Sequence, residues 1–307
     1  MAFGAIILFC AVVLDRLIGD PRSRLHPVAL LGTVIGWWGK TNTYPKRLER
    51  ITGIVGWLIT VLIFILPFLV ICLIPETYWY IQLPLAAVLL SFCFASRSLE
   101  EHVAAVETAL GKGDIEGRAA VQMLVSRDVK KLSTEQIRSA AYESAAENLV
   151  DSIVAPIFWF AVFELLFGMG IVGAALFRAA NTMDAMLGYT DDRIRIGWFS
   201  ARMDDVLAWI PARVTGALLI LIFVCRKRAG KAVAAYRADH KKRPGFNGGI
   251  PMSLIAGGCG VMFDKPGVYT IGIPEQTLEK GGRCIIRTLR ETLILFSAVV
   301  ILTLVLI

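Results

Sequence analysis

The amino-acid sequence predicts an all-α, multi-pass helical membrane protein with a cytoplasmic helical insertion. Two observations carry that expectation. Hydrophobic residues fill 56% of the 307 positions and the mean hydropathy is +0.64, above a typical soluble domain, and they gather in long uncharged runs. The basic residues behind the net charge of +7 fall between those runs, where the positive-inside rule puts cytoplasmic loops, so no nucleic-acid partner is implied. About five to six apolar segments are expected in the lipid bilayer of the cell membrane, one of them a candidate re-entrant hairpin. Six cysteines stand at 10, 72, 93, 225, 259 and 284 without CxxC spacing, so neither a disulfide framework nor a thiolate metal site is expected.

In chain order, Ala2 to Leu14 is apolar but short for a span of about 20 residues. It lacks a basic leader and a small-residue cleavage site, so it is expected to be retained. Asp15, Arg16, a Gly19-Asp20-Pro21 turn and His26 follow, consistent either with a salt-bridged helix end or with a ligand cluster. Thr33 to Arg50, with Lys40, Lys46, Arg47 and Arg50, reads as a cytoplasmic loop. Thr52 to Ile74 is a spanning helix closed by Pro75, and Ile81 to Ala95 is a shorter apolar return.

Residues 97–152 change character. Leu99, Val103, Val106 and Leu110 recur at helical spacing among charges, ahead of a GKGD turn at 111–114, which marks the cytoplasmic helical insertion. Ser133 is the expected N-cap of a helix running through Tyr142, with Gln136 completing a capping box. Ile153 to Phe177 is apolar but interrupted by Glu164, Gly168 and Gly170, which suits one span or two short helices. Residues 178–213 are polar yet rich in Met and Trp, and Val214 to Cys225 is apolar again. The segment 226–290 reads as a basic, Gly-rich cytoplasmic loop region whose glycines serve anion nests or close helix packing. Leu293 to Ile307 is a last apolar helix. Counting each run as one span puts 178–205 outside, about 30 Å of hydrocarbon from residues 143–151. A shared site therefore needs the 153–177 run to be broken or must lie within the membrane, and a site near the cytoplasmic interface is the favoured reading.

The chemistry concentrates in acidic clusters. Glu143, Glu147 and Asp151 recur every four residues, which places them on one helix face beside an apolar run. Asp184 and the pair Asp204/Asp205 follow later. Hard cations such as magnesium take carboxylate, phosphate and water oxygens, so Glu147, Asp151, Asp184 and Asp204 are the expected metal ligands. Glu143, Glu147, Asp184 and Asp205 are the expected catalytic carboxylates. Arg178, Arg202 and Arg213 offer forked donors for phosphate, with Asn148 and Asn181 as orienting amides. Ordinary ion pairing, such as Arg202 with Asp205 one turn away, competes with this reading. Ionisable groups beside membrane segments favour the polar site.

The motifs GDPxxxxHPV (Gly19 to Val28), ESxxENxxDxxxAP (Glu143 to Pro156), NTMDAMLGY (Asn181 to Tyr189), GWxxARxDD (Gly197 to Asp205) and IPAR (Ile210 to Arg213) together resemble the CobD/CbiB family over nearly the whole chain. These are membrane-bound adenosylcobinamide-phosphate synthases of cobalamin biosynthesis. The resemblance implies ATP-driven amide formation between an amino-alcohol phosphate, typically (R)-1-amino-2-propanol O-phosphate, and the free propionate carboxylate of adenosylcobyric acid. It implies ATP and magnesium as cofactors, the corrinoid as substrate, and other cobamide-assembly enzymes as candidate partners. His26 and Asn247 join the substrate-binding set through it. The chain departs from the family pattern where His240 directly follows Asp239, and where Arg178 stands in place of a common Lys.

Amide formation from a carboxylate needs activation, most simply as an acyl phosphate, and phosphoryl transfer needs metal and arginine around its oxygens. A carboxylate can take the proton of the incoming amine. The alternative from another class is a corrinoid-binding or corrinoid-transporting membrane protein without ligase activity, its charges forming a substrate path. A subunit that anchors soluble cobamide enzymes is a further one. No phosphate-loop or dinucleotide motif is legible.

Overall fold

The computed structural model describes every residue except 21, 22, 24, 25, 42 and 126. Those positions include four of the Gly19–Val28 motif. In chain order the helices begin with α1 (Ala2–Leu17), α2 (Pro27–Trp38), α3 (Glu49–Cys72), α4 (Trp79–Ser91), α5 (Ser96–Leu110), α6 (Asp114–Gln122) and α7 (Thr134–Leu149). A π-turn (Val150–Val154) leads into α8 (Ala155–Phe167), followed by α9 (Gly170–Leu187), α10 (Trp198–Cys225), α11 (Ala229–Asp239) and α12 (Gly249–Cys259). A hairpin of β1 (Met262–Lys265) and β2 (Tyr269–Gly272) precedes α13 (Leu278–Leu306). Five helical stretches are long and apolar enough to cross a membrane: 49–72, 79–110, 134–167, 198–225 and 278–306. The all-α, multi-pass expectation therefore holds.

One compact unit comprises Met1–Ala95, Ala155–Ala208 and Ser297–Ile307. In it α1 packs on α4, while α9 packs on α2, α3, α4 and α8. The expected loop from Thr33 is corrected here, because α2 continues to Trp38. The Trp38 indole donates to Thr60 Oγ1 at 2.9 Å in the interior, which gives the last turn of α2 a buried anchor. The single-span reading of 153–177 is also set aside. Gly168 adopts φ +68°, a left-handed conformation that ends α8, and α9 folds back along it. A Cβ on Gly173 would lie 2.3 Å from the Trp159 carbonyl oxygen, so only glycine allows this approach. Buried Glu164 accepts a hydrogen bond from the Gly170 N–H at 2.9 Å. This apolar-run carboxylate thus satisfies an orphan donor at the start of α9.

The other unit comprises Ser96–Val154 and Trp209–Phe296. α5, α6 and α7 close over Val106, Val121, Ile137, Ala140 and Ala141. The Ser133 capping box forms as expected, with Gln136 reciprocating. β1 pairs antiparallel with β2 and packs on α7, while β2 packs on α11 and α12. Where composition suggested a loop region over 226–290, the chain builds these two helices, the hairpin and the start of α13. All eleven residues of α12 are buried. A Cβ on Gly258 would lie 2.3 Å from the Phe223 ring, so this glycine serves packing. A further correction concerns the cysteines: Cys259 and Cys284 form a disulfide. Their separation of 25 residues carries no spacing signature.

Candidate functional site

The second unit holds a polar cleft of about 260 Å³, lined by Leu124, Val125, Arg127, Ala140, Glu143, Ser144, Glu147, Asn148 and Lys265. Its floor is the acidic face of α7, placed there because Ala140, Ala141 and Ile137 on the neighbouring faces enter the core. Glu143 is 5% exposed. Its Oε1 accepts from the Tyr269 hydroxyl at 2.8 Å, and its Oε2 lies 3.5 Å from Arg127 Nη2. Tyr269 is presented by β2, whose partner strand is tied to α7 by Ser139 Oγ accepting from the Asp264 N–H at 2.6 Å and by Gln136 donating to Asp264 at 2.9 Å. Burial, and after it the Glu143 carboxylate, pushes the Tyr269 phenol above its ordinary range.

Glu147, one turn on, accepts from Arg243 Nη2, while Arg243 Nη1 donates to the Pro244 carbonyl at 2.6 Å. A Cβ on Gly248 would lie 2.8 Å from the Arg243 guanidinium carbon, so this glycine leaves room for the arginine. Asp151 adds its charge to the field around Arg243. The spacing predicts three carboxylates in one α-helical stripe. The structure keeps Glu143 and Glu147 in α register, but the π-turn from Val150 puts Asp151 on a wider winding. The Asn148 amide donates to the Ser144 carbonyl at 2.8 Å. Arg213 and Asn247, predicted separately, are brought together: Arg213 Nη1 donates to Asn247 Oδ1 at 2.8 Å and to the Trp209 carbonyl at 3.0 Å. The guanidinium also lies 4.3 Å from the Trp209 ring centroid.

The remaining predicted residues lie in the first unit. Asn181 Nδ2 donates to Asp204 Oδ1 at 3.2 Å, joining α9 to α10. Thr182 donates back to the Arg178 carbonyl at 2.8 Å. At the end of α9 the Gly188 N–H donates to the Asp184 backbone carbonyl at 2.7 Å. Asp205 is half-buried and Arg202 is exposed. His26 serves the salt-bridged helix end: Nδ1 accepts from the Val28 N–H at 3.2 Å to cap α2, and Nε2 meets Asp20 at 2.7 Å. Among the described residues, no three His, Cys, Asp or Glu side chains gather as a metal site. Glu143 and Glu147 already face guanidinium groups. Magnesium takes one or two protein oxygens alongside phosphate and water, and Asp204 offers one carboxylate, already hydrogen-bonded by the Asn181 amide.

Arg127, Lys265, Tyr269 and Arg243 complete the cleft and its support, and sequence reasoning passed over them. Each is an ordinary residue in its own segment. Arg127 sits in a charged insertion, and Lys265 is 138 positions further along.

A family model described as CobD/Cbib protein matches residues 8–296. The chain is similar to the probable cobalamin biosynthesis protein CobD of Methanothermobacter thermautotrophicus, 39% identical over 89% of this chain and 88% of the relative. It is similar to the protein of that name from Pyrococcus abyssi, 40% identical over 86% and 84%. The cobalamin biosynthesis protein CobD of Pelobacter propionicus is 35% identical over 86% and 81%. No solved structure matches the chain.

Proposed function

The chain belongs to the CobD/CbiB family, and on that premise we propose that it acts in cobalamin biosynthesis as an ATP-dependent ligase. The reaction joins an amino-alcohol phosphate, such as (R)-1-amino-2-propanol O-phosphate, to the free propionate of adenosylcobyric acid as an amide. One observation supports this over a passive corrinoid binder: Glu143 and Glu147 line a small cleft together with Arg127 and Lys265. Such a mixture of acid and cation is what proton removal from an ammonium beside phosphate requires.

ATP with magnesium would supply the phosphoryl group that turns the propionate into an acyl phosphate. The amine nitrogen then bonds to the acyl carbon, inorganic phosphate leaves, and the ammonium proton passes to a carboxylate on α7. Glu147 is the group we assign to that proton, since Glu143 has both oxygens engaged, by Tyr269 and by Arg127, whereas Glu147 gives only Oε1 to Arg243. Arg213, fixed by Asn247, is assigned to phosphate.

Membranes containing the protein are incubated with adenosylcobyric acid, the amino-alcohol phosphate, ATP and magnesium, and mass spectrometry follows the amide. ATP-dependent amide supports the ligase. Absence of amide alongside ATP-independent corrinoid uptake would replace this reading with transport.

A further inference from the structure

We infer that the Cys259–Cys284 bond is a reversible redox site, opened and closed by small thiols, that sets the order of the β1–β2 hairpin. Cys259 ends α12 and Cys284 lies in the second turn of α13. The chain between them, a separation of 25 residues, encloses the whole hairpin. At the neck of this loop the Gly260 carbonyl accepts from the N–H groups of Glu275 and Gln276, each at 3.1 Å. The Gln276 amide donates to the Cys259 carbonyl at 2.8 Å. From that neck the hairpin reaches α7. The Tyr269 hydroxyl donates to Glu143, the Asp264 N–H donates to Ser139 Oγ, and Lys265 lines the polar cleft. Opening the bond therefore frees the neck of the element that presents Tyr269 and Lys265.

The surroundings of the two sulfurs suit exchange. Arg226 Nη1 stands 3.5 Å from Cys284 Sγ and donates to Thr288 Oγ1 at 2.8 Å, while Nη2 donates to Glu291 at 2.7 Å. Thr288 Oγ1 lies 3.8 Å from Cys259 Sγ. Each sulfur thus has a hydrogen-bond partner at hand once the two part. Between Arg226 and Arg243 the chain carries eight Lys or Arg against one acid, Asp239. By the positive-inside rule this end of α10, and the sulfur beside it, faces the cytoplasm. Small thiols keep cysteines reduced there, and the disulfides found there are usually transient, catalytic or redox-sensing.

Cys259 is 2% exposed and Cys284 is half-buried, so an incoming thiolate reaches Cys284. Its sulfur bonds to Cys284 Sγ, and the electron pair of the broken bond leaves on Cys259. A second thiolate bonds to the added sulfur and expels Cys284 beside Arg226. The two small thiols lose two electrons and become one disulfide, and the two protons they gave up end on Cys259 and Cys284. Oxidised glutathione runs the same steps backwards.

The test equilibrates the full chain in nanodiscs with mixtures of reduced and oxidised glutathione. Alkylation and peptide masses give the oxidised fraction at Cys259 and Cys284, and amide hydrogen exchange reports the hairpin. We expect that fraction to fall from about nine tenths in oxidised glutathione to about one tenth in excess reduced glutathione. Exchange over 262–272 should quicken by about tenfold or more on reduction, while 155–187 keeps its rates. Cys259→Ser with Cys284→Ser should exchange fast over 262–272 in every mixture. A bond that stays closed in every mixture is a fixed staple and overturns the redox site. So do thiols that never pair in oxidised glutathione, unchanged exchange over 262–272, or a rise spread evenly over the chain. None of these readouts involves amide formation, so they are independent of the ligation assay.

Discussion

Glu164 Oε2 accepts a hydrogen bond from the Gly170 N–H at 2.9 Å, across the turn that breaks the 153–177 run. Glu164→Ala leaves that buried donor unmet and should lower stability by about 1–3 kcal/mol. Glu164→Gln, which keeps an acceptor oxygen, should lose less. Thermal melts in one detergent check the order, and equal melting temperatures for Ala and wild type would remove the cap from the account.

A Cβ at position 188 would lie 1.9 Å from Asp184 Oδ1. Gly188→Ala must therefore swing the Asp184 carboxylate away, at a cost of about 1–3 kcal/mol for overpacking. Ligation should fall at least as far as in Asp184→Asn, measured as amide formed per minute. Full activity in Gly188→Ala would show that the position of Asp184 is immaterial.

Tyr269 gives a pH test. Its phenol is held above the ordinary value by burial and by Glu143, so its contribution to stability is complete below the unfolded pKa of about 10. It is lost as pH rises beyond that toward the folded value. Tyr269→Phe should be less stable by about 1–3 kcal/mol near neutrality, through the unmet Glu143 oxygen. Its deficit should shrink above pH about 10. A gap in melting temperature that stays constant across this range would contradict the assignment.

The Cys259–Cys284 disulfide closes a loop of 25 residues. Reduction, or Cys259→Ser with Cys284→Ser, should remove about 3 kcal/mol through the chain-entropy effect. Mass shifts after alkylation with and without reductant report whether the bond is present. Melting curves of the two forms report its effect.

Legibility of the sequence followed the reach of each signal. The Ser133 capping box is local, and it formed as read. Glu143 and Glu147 shared a face because their spacing lies within one regular helix, whereas the π-turn that displaced Asp151 leaves no periodic trace. α12 escaped notice because all its residues are buried. A helix without a polar face shows no alternation, and its glycines mimic a loop. Trp38 extended α2 through a bond to Thr60 on another helix, which spacing does not encode. Arg127 and Lys265 meet only through the packing of α7 against β1, so the cleft was invisible until the fold existed.

The turn at Gly168 also bears on the parity of the crossings. A straight helix through 153–177 would add one crossing and invert the side of everything after it. As α9 retraces α8, the hairpin's two ends, Ala155 and Leu187, lie at the same end of the helix pair. The hairpin therefore cancels from the count of crossings. The orientation of the downstream chain is set by the other spans, with their basic loops deciding its sign.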